Sequence, residues 1–229
     1  MIRFFAIGLT ILGLMVSVAS MQGQSPAHYR DFQLGGDLAS VSALTAVPAS
    51  DAKTVRSRPA ILQDLQWRRP YSLSETAVDP VEQIAFSFYN DQLFRLVIDY
   101  DRGRTEGMTD ADMVEGISTM YGATVKAPLK TTSHAPLTAI DEEPGTRVAG
   151  WGNAEYAAVL YRMSYASGFR MIVTSVRLTA LARTAEAQAL VLDGRDAPQR
   201  ERARQKKEAD DERAAKAKAR VANKAAFRP

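Results

Sequence analysis

The chain has 229 residues, of which 46% are apolar, 24% are charged and none is cysteine. That is enough for one or two ordinary hydrophobic cores, and it excludes disulfide staples, thiolate metal centres and cysteine nucleophiles in any compartment. The formal charge of +3 is unevenly spread: residues 195–229 carry 12 Lys/Arg against 6 Asp/Glu, whereas residues 21–194 carry 16 against 20. The basicity belongs to the C-terminal stretch, and the body of the chain is mildly acidic.

Arg3 precedes an apolar run from Phe4 to Val18, followed by the small residues Ala19 and Ser20. A short basic start, a hydrophobic middle and small side chains make the layout of a secretory signal peptide, with cleavage expected after Ser20. The run is shorter than the ~20 residues that a membrane-crossing helix needs, and no cysteine follows it to carry a lipid. The sequence therefore predicts an exported protein, periplasmic or secreted, with no stable transmembrane span once residues 1–20 are removed.

Tyr29–Leu34 alternates weakly up to Gly35-Gly36. Asp37 then caps a short helix with Leu38, Val41 and Leu44 on one face. Residues 46–58 read as loop, and Ile61–Trp67 as a first strand ended by Arg68-Arg69-Pro70. Val81–Tyr100 carries the clearest pattern. Ile84, Phe86 and Phe88 alternate on one side of Asn90-Asp91, and Phe94, Leu96, Ile98 and Tyr100 on the other. Period-two alternation about an Asn-Asp pair predicts a β-hairpin, because both residues tolerate the positive φ of a primed turn. Its aromatic row reads as core filling.

Thr109 with Asp112 forms a capping-box signature. Met113, Ile117 and Tyr121, with Val114 and Met120, make the buried stripe of the helix that follows, and Gly122 closes it. Residues 123–146 hold Pro128, Pro136, Pro144 and Gly145 with little periodicity and read as a linker. The pattern then recurs: a strand from Thr146 to Trp151, a hairpin from Tyr156–Tyr165 and Phe169–Leu178, and a helix opened by Thr179 through Leu181, Ala185 and Leu192. Tyr156–Tyr165 has composition for helix nearly as much as for strand.

The expected fold is thus α+β: an antiparallel sheet built from two β-β-β-α units backed by helices, plus a long charged C-terminal helix. The first unit spans 21–122 and the second 147–194. Residues 195–229, rich in Ala, Arg, Lys and Glu, are expected to form a solvated helix starting at Asp196 and Pro198, or coil. With alanine as the main apolar residue, that stretch lacks the large a and d residues of a coiled coil.

Little in the sequence specifies chemistry. The two histidines, His28 and His134, fall in a polar leader and in the Pro-rich linker, so no triad or His-ligated metal is indicated. The densest acids, Asp99, Asp101, Glu106, Asp110 and Asp112, include a weak candidate calcium loop at Asp99, Asp101, Glu106 and Asp110. It lacks a third ligand at Gly103 and a glycine at Arg104, and it has Asp110 where an EF-hand has its bidentate Glu. Helix capping and turn formation account for the same acids. No motif calls for a cofactor. In the tail, Arg200, Arg202, Arg204, Lys206 and Lys207 are candidates for contacting a polyanion, diluted by six acids.

Phe32-Gln33-Leu34-Gly35-Gly36-Asp37-Leu38-Ala39-Ser40-Val41, followed by Trp67 and the hairpin, resembles small exported α+β modules of the β-lactamase-inhibitor-protein and outer-membrane-assembly lipoprotein types. The resemblance covers about residues 32–100 and implies a non-catalytic protein-binding role. It carries over no functional residue, and the chain departs from it in lacking the lipid-bearing Cys and in its long tail. The leading expectation is an exported non-enzymatic binding or scaffold protein whose partner is an unknown protein or envelope polymer rather than nucleic acid. The alternatives are a carboxylate-based hydrolase with its site near Asp99–Asp112 and a tether acting through the basic tail.

Overall fold

A computed structural model describes residues 27–70, 79–125, 145–163, 168–226 and 228. The signal-like residues 1–20, His134 and most of the Pro-rich stretch lie outside the described residues. Among the described residues nine strands and three α-helices follow in order, with a 3-10 turn at Ala49–Asp51: β1 (His28–Tyr29), β2 (Phe32–Gln33), α1 (Leu38–Thr45), β3 (Lys53–Arg56), β4 (Leu62–Arg68), β5 (Val81–Tyr89), β6 (Gln92–Tyr100), α2 (Asp110–Tyr121), β7 (Gly145–Gly152), β8 (Tyr156–Met163), β9 (Phe169–Ser175) and α3 (Val176–Ala226). The class is α+β. β1 and β2 form a small ribbon, and the other seven strands form one antiparallel sheet in the order β3-β4-β5-β6-β9-β8-β7.

That order joins two similar halves. β4-β5-β6 followed by α2 and β7-β8-β9 followed by α3 meet where their last strands pair, with Leu96 opposite Val173 and Val97 opposite Ile172. Trp67 lies in the cross-strand row of Ile84, Ile98 and Met171, and Trp151 in the row of Ala158, Val173 and Leu96. Read from opposite ends of the sheet, the two rows are equivalent about the Val97–Ile172 pair.

The β5–β6 hairpin turns on Asn90 and Asp91, at φ 45° and 65°, the left-handed pair that a two-residue turn of right-handed twist requires. One member of the expected aromatic row is displaced. Phe88 pairs with Leu93 and Ser87 with Arg95, so Phe94 is the extra residue of a β-bulge, and Leu93 takes its place in the core.

The core covers one sheet face: Leu65, Ile84, Phe86, Phe88, Leu96 and Ile98 from the first half pack with Trp151, Leu160, Phe169 and Met171 from the second. β1, β2, α1 and α2 roof it. Phe32 meets Phe86 edge-on at 4.8 Å between ring centres, and the Trp151 Nε1–H donates to Ser118 Oγ at 3.1 Å. Met113, Ile117 and Tyr121 are the buried stripe of α2, under a complete Thr109–Asp112 capping box. In α1, Val41 is buried but Leu44 is 52% exposed and takes no part.

Three further expectations are corrected. Residues 53–56, read as loop, form the edge strand β3, paired with β4. The last helix begins at Val176, because Ser175 ends the strand and its Oγ accepts from the Leu178 N–H. Its inward residues are Leu178, Ala182, Ala185 and Ala189, while Leu181 is exposed. Asp196 does not cap a separate helix: α3 runs through it and through Pro198 without ending. Tyr156–Met163 is a strand.

Candidate interaction surface

α3 is 51 residues long, about 76 Å at 1.5 Å per residue. Its first part crosses β9, β6 and β5. Its buried residues Leu178, Ala182, Ala185 and Ala189 stand outside the main core, so it covers the opposite face of the sheet. That face is more polar. Ser87, Arg95 and Glu186 are buried there, and burial raises the carboxyl of Asp64 above the usual range, partly offset by a hydrogen bond from Ser87 and the charge of Arg95. Ion pairs from the sheet edge fasten the helix further along. Arg56 pairs with Asp193 at 3.1 Å, and Arg58 reaches Asp196 and Asp193. Asp196, the expected cap, is therefore an anchor, its carboxyl held below the usual range by the Arg58 hydrogen bond.

Beyond Asp196 the helix leaves the sheet. From Ala197 to Ala225 every residue is exposed except Ala209, which is half-buried. Pro198 lacks the N–H that would bond the Gly194 carbonyl, so one internal hydrogen bond is missing where the helix departs. The arm is held as a helix by alanines and by pairs along its own surface: Arg204 with Glu201 and Glu208, Arg213 with Asp210, and Lys216 with Glu212 at 2.5 Å. Each such pair contributes about 0.2–0.5 kcal/mol.

The five tail candidates do not form one patch. Arg200 folds back to donate to the Asp193 carbonyl at 2.8 Å, and Arg204 is engaged by its glutamates. Arg202, Lys206 and Lys207 carry no ion pair among the described residues. At 100° per residue, Arg202 and Lys206 share one side of the helix, and Arg200, Arg204 and Lys207 share the other.

The acids of the candidate calcium loop are drawn to different arginines. Asp99 accepts from Arg170 at 2.5 and 3.0 Å and from Gln83 at 2.7 Å. Asp101 pairs with Arg69, whose hydrogen bond holds its carboxyl below the usual range. Asp110 pairs with Arg162 at 2.7 Å, and Glu106 is exposed. Asp112 closes the capping box, accepting from the Thr109 N–H at 2.8 Å. Among the described residues no group of three His, Asp or Glu is placed to hold a metal ion. Three of the four loop acids thus serve as structural ties: Asp99 joins β6 to β9, Asp101 joins the segments that follow β6 and β4, and Asp110 joins the start of α2 to β8.

Sequence reasoning did not single out a trio of tyrosines at the β1–α2 corner. Burial raises the hydroxyls of Tyr29, Tyr100 and Tyr121, and Tyr121 donates to the His28 carbonyl at 2.7 Å. In sequence each shows only as part of its own element, Tyr29 in the weak alternation before Gly35, Tyr100 at the end of the hairpin row and Tyr121 at the end of the apolar stripe of α2, and nothing local brings the three together. A shallow depression of about 280 Å³ between Gly35, Gln92, Glu155, Arg177 and Leu178 brings no paired acids or nucleophile together. The surface set apart by the fold is therefore α3, anchored at one end and projecting at the other. Among the described residues no helix is long and apolar enough to cross a membrane. Comparison with protein-family models, curated proteins and solved structures finds no match for this chain.

Proposed function

We propose that this chain is an exported, non-enzymatic binding or scaffold protein that holds α3 out from an α+β body to engage a partner in the cell envelope. The observation that carries the reading is the exposure of α3 from Ala197 to Ala225 on a helix whose preceding turns are packed and ion-paired to the sheet. A helix of about 45 Å with no fully buried residue adds little to the stability of its own fold, so its use lies outside it. Export rests on the signal-like layout of residues 1–20, and the resemblance of residues 32–100 to inhibitor-type modules favours binding over turnover.

Crosslinked capture from envelope extracts, comparing the whole chain with one stopped after Ala197, tests the arm. The shortened chain should keep its circular dichroism signature for the body and lose the arm-dependent crosslinks; an unchanged crosslink pattern would remove the arm from the function. Turnover of an ester, glycoside or peptide that Asp99→Asn or Asp110→Asn abolishes, with the fold intact, would replace this reading with a carboxylate hydrolase.

A further inference from the structure

The charges of the arm are sorted around the helix as well as along it. Arg202, Lys206, Arg213, Arg220 and Lys224 follow one another at steps of 4, 7, 7 and 4 residues. At 100° per residue these steps keep all five within about 40° of arc, over about 33 Å of axis. On the same count Asp210 is the nearest acid, roughly 60° off the line, and Glu201, Glu208, Asp211 and Glu212 lie farther round. Arg202, Lys206, Arg220 and Lys224 have no ion pair among the described residues, while Glu201, Glu208, Asp210 and Glu212 are occupied by Arg204, Arg213 and Lys216. The result is a basic stripe one residue wide with a mixed-charge back.

The direction of the stripe matters as much as its charge. The sheet-facing positions of α3 are Leu178, Ala182, Ala185 and Ala189, and the stripe lies about 120° round the helix from them. Followed toward the N-terminus on the same count, Val191, 64% exposed, and Leu181, 40% exposed, lie about 40° to opposite sides of the middle of the stripe. The row of cations beyond the body is thus turned away from the sheet-facing side, toward the flank of the helix.

We infer that this line of cations is a docking surface for a plane of anionic lipid headgroups, along which the exposed arm of α3 lies with the sheet to one side. The inference rests on the proposed role of α3 as an arm. A planar partner meets only the side turned toward it. Acids on the far side of a helix 10–12 Å across stand about a Debye length away, where salt screens them. A nucleic-acid strand would gain from aromatic side chains on which to stack, which the arm lacks among its described residues, and of the opposite-side cations that a curved duplex would also meet, Arg200 and Arg204 are engaged by Asp193 and Glu201, with Asp211 set among them. Cations near an anionic membrane are attracted one by one. The alanines around the stripe are too small to drive deep insertion, so attachment is electrostatic and reversible.

Flotation of the whole chain with vesicles of phosphatidylcholine alone, and of phosphatidylcholine mixed with phosphatidylglycerol, tests this. Residues 4–18 can enter either vesicle, so the readout is the difference between the two. The wild-type chain should prefer the anionic vesicles and lose that preference as salt is raised. R202Q/K206Q/R220Q/K224Q should reduce it roughly tenfold or more, while R200Q/R204Q/K207Q/K218Q, with the same charge removed from the opposite side, should stay within about threefold, both checked for helix content by circular dichroism. Equal losses in the two variants, no anionic preference in the wild type, or salt-sensitive binding to a DNA or RNA duplex without vesicle binding would each overturn the assignment. If arm-dependent crosslinks survive such a result, only the lipid surface is lost; if they vanish too, the arm reading goes with it.

Discussion

Asp101 shows how much of this fold is fixed by single polar residues. It follows β6, pairs through its carboxylate with Arg69 beyond the end of β4, and accepts from the Arg104 N–H at 3.1 Å. Its carbonyl takes both the N–H and the hydroxyl of Thr105, while Arg69 also donates to the Asp79 carbonyl at 2.8 Å. The pair thus ties the exit of β4, the entry of β5 and the turn after β6. Because Arg69 lowers its carboxyl in the folded chain, the stabilisation from Asp101 is complete above the unfolded value near pH 4 and is lost as pH falls through the lower folded value. Asp101→Asn should cost about 1 kcal/mol at pH 7 in urea unfolding, and its gap from the wild type should narrow toward pH 3; a gap that widens on acidification would contradict the assignment. The residue type was legible, the role was not. Asp99, Asp101 and Asp110 lie close together in sequence, and nothing local announces that Arg170, Arg69 and Arg162 will claim them from distant segments. Asn90-Asp91, by contrast, was readable because a two-residue turn is decided by its own φ preferences. The bulge at Phe94 was not, since Leu93 and Phe94 are both apolar and alternation alone cannot say which faces in.

Among the elements, α2 was the most legible because its signals are all local: a hydroxyl and an acid three residues apart, an apolar residue every fourth position, and a glycine at φ 79° after the last turn. The Thr109 hydroxyl oxygen accepts from the Asp112 N–H at 3.2 Å, so Thr109→Ala should lower the unfolding free energy by about 1–2 kcal/mol, while Thr119→Ala, on the exposed side, should change it by no more than about 0.5 kcal/mol. Comparable losses at both positions would show that the box adds nothing particular. β3 was illegible for the opposite reason. Lys53-Thr54-Val55-Arg56 has no buried residue; it is a strand because β4 offers it an edge and α3 offers Asp193 to Arg56. The start of α3 was misplaced because Val176 and Leu178 suit a strand and a helix equally, and only the packing of Leu178 against the second face decides between them.

Across the whole molecule, stability and reach are divided along α3. Stopping the chain after Ala197 retains Asp193 and Asp196 with their arginine partners and should leave the unfolding free energy of the body in urea within about 0.5 kcal/mol of the full chain. Stopping it after Ser175 uncovers Arg95 and Val97 on the second face and should abolish cooperative unfolding. A large loss from the shorter truncation would mean that the arm packs on the body. The doubled β-β-β-α plan was visible in the spacing of Trp67, Trp151 and the two hairpins, but the way the halves meet was not, since the pairing of β6 with β9 is a contact between segments far apart in sequence. That pairing has a consequence for biosynthesis. A chain emerging from its N-terminus completes β6 long before Phe169 exists, and until then β6 is a bare, apolar sheet margin of the kind that joins to like margins on other molecules. The first half must therefore be kept apart from its neighbours while it waits for the second.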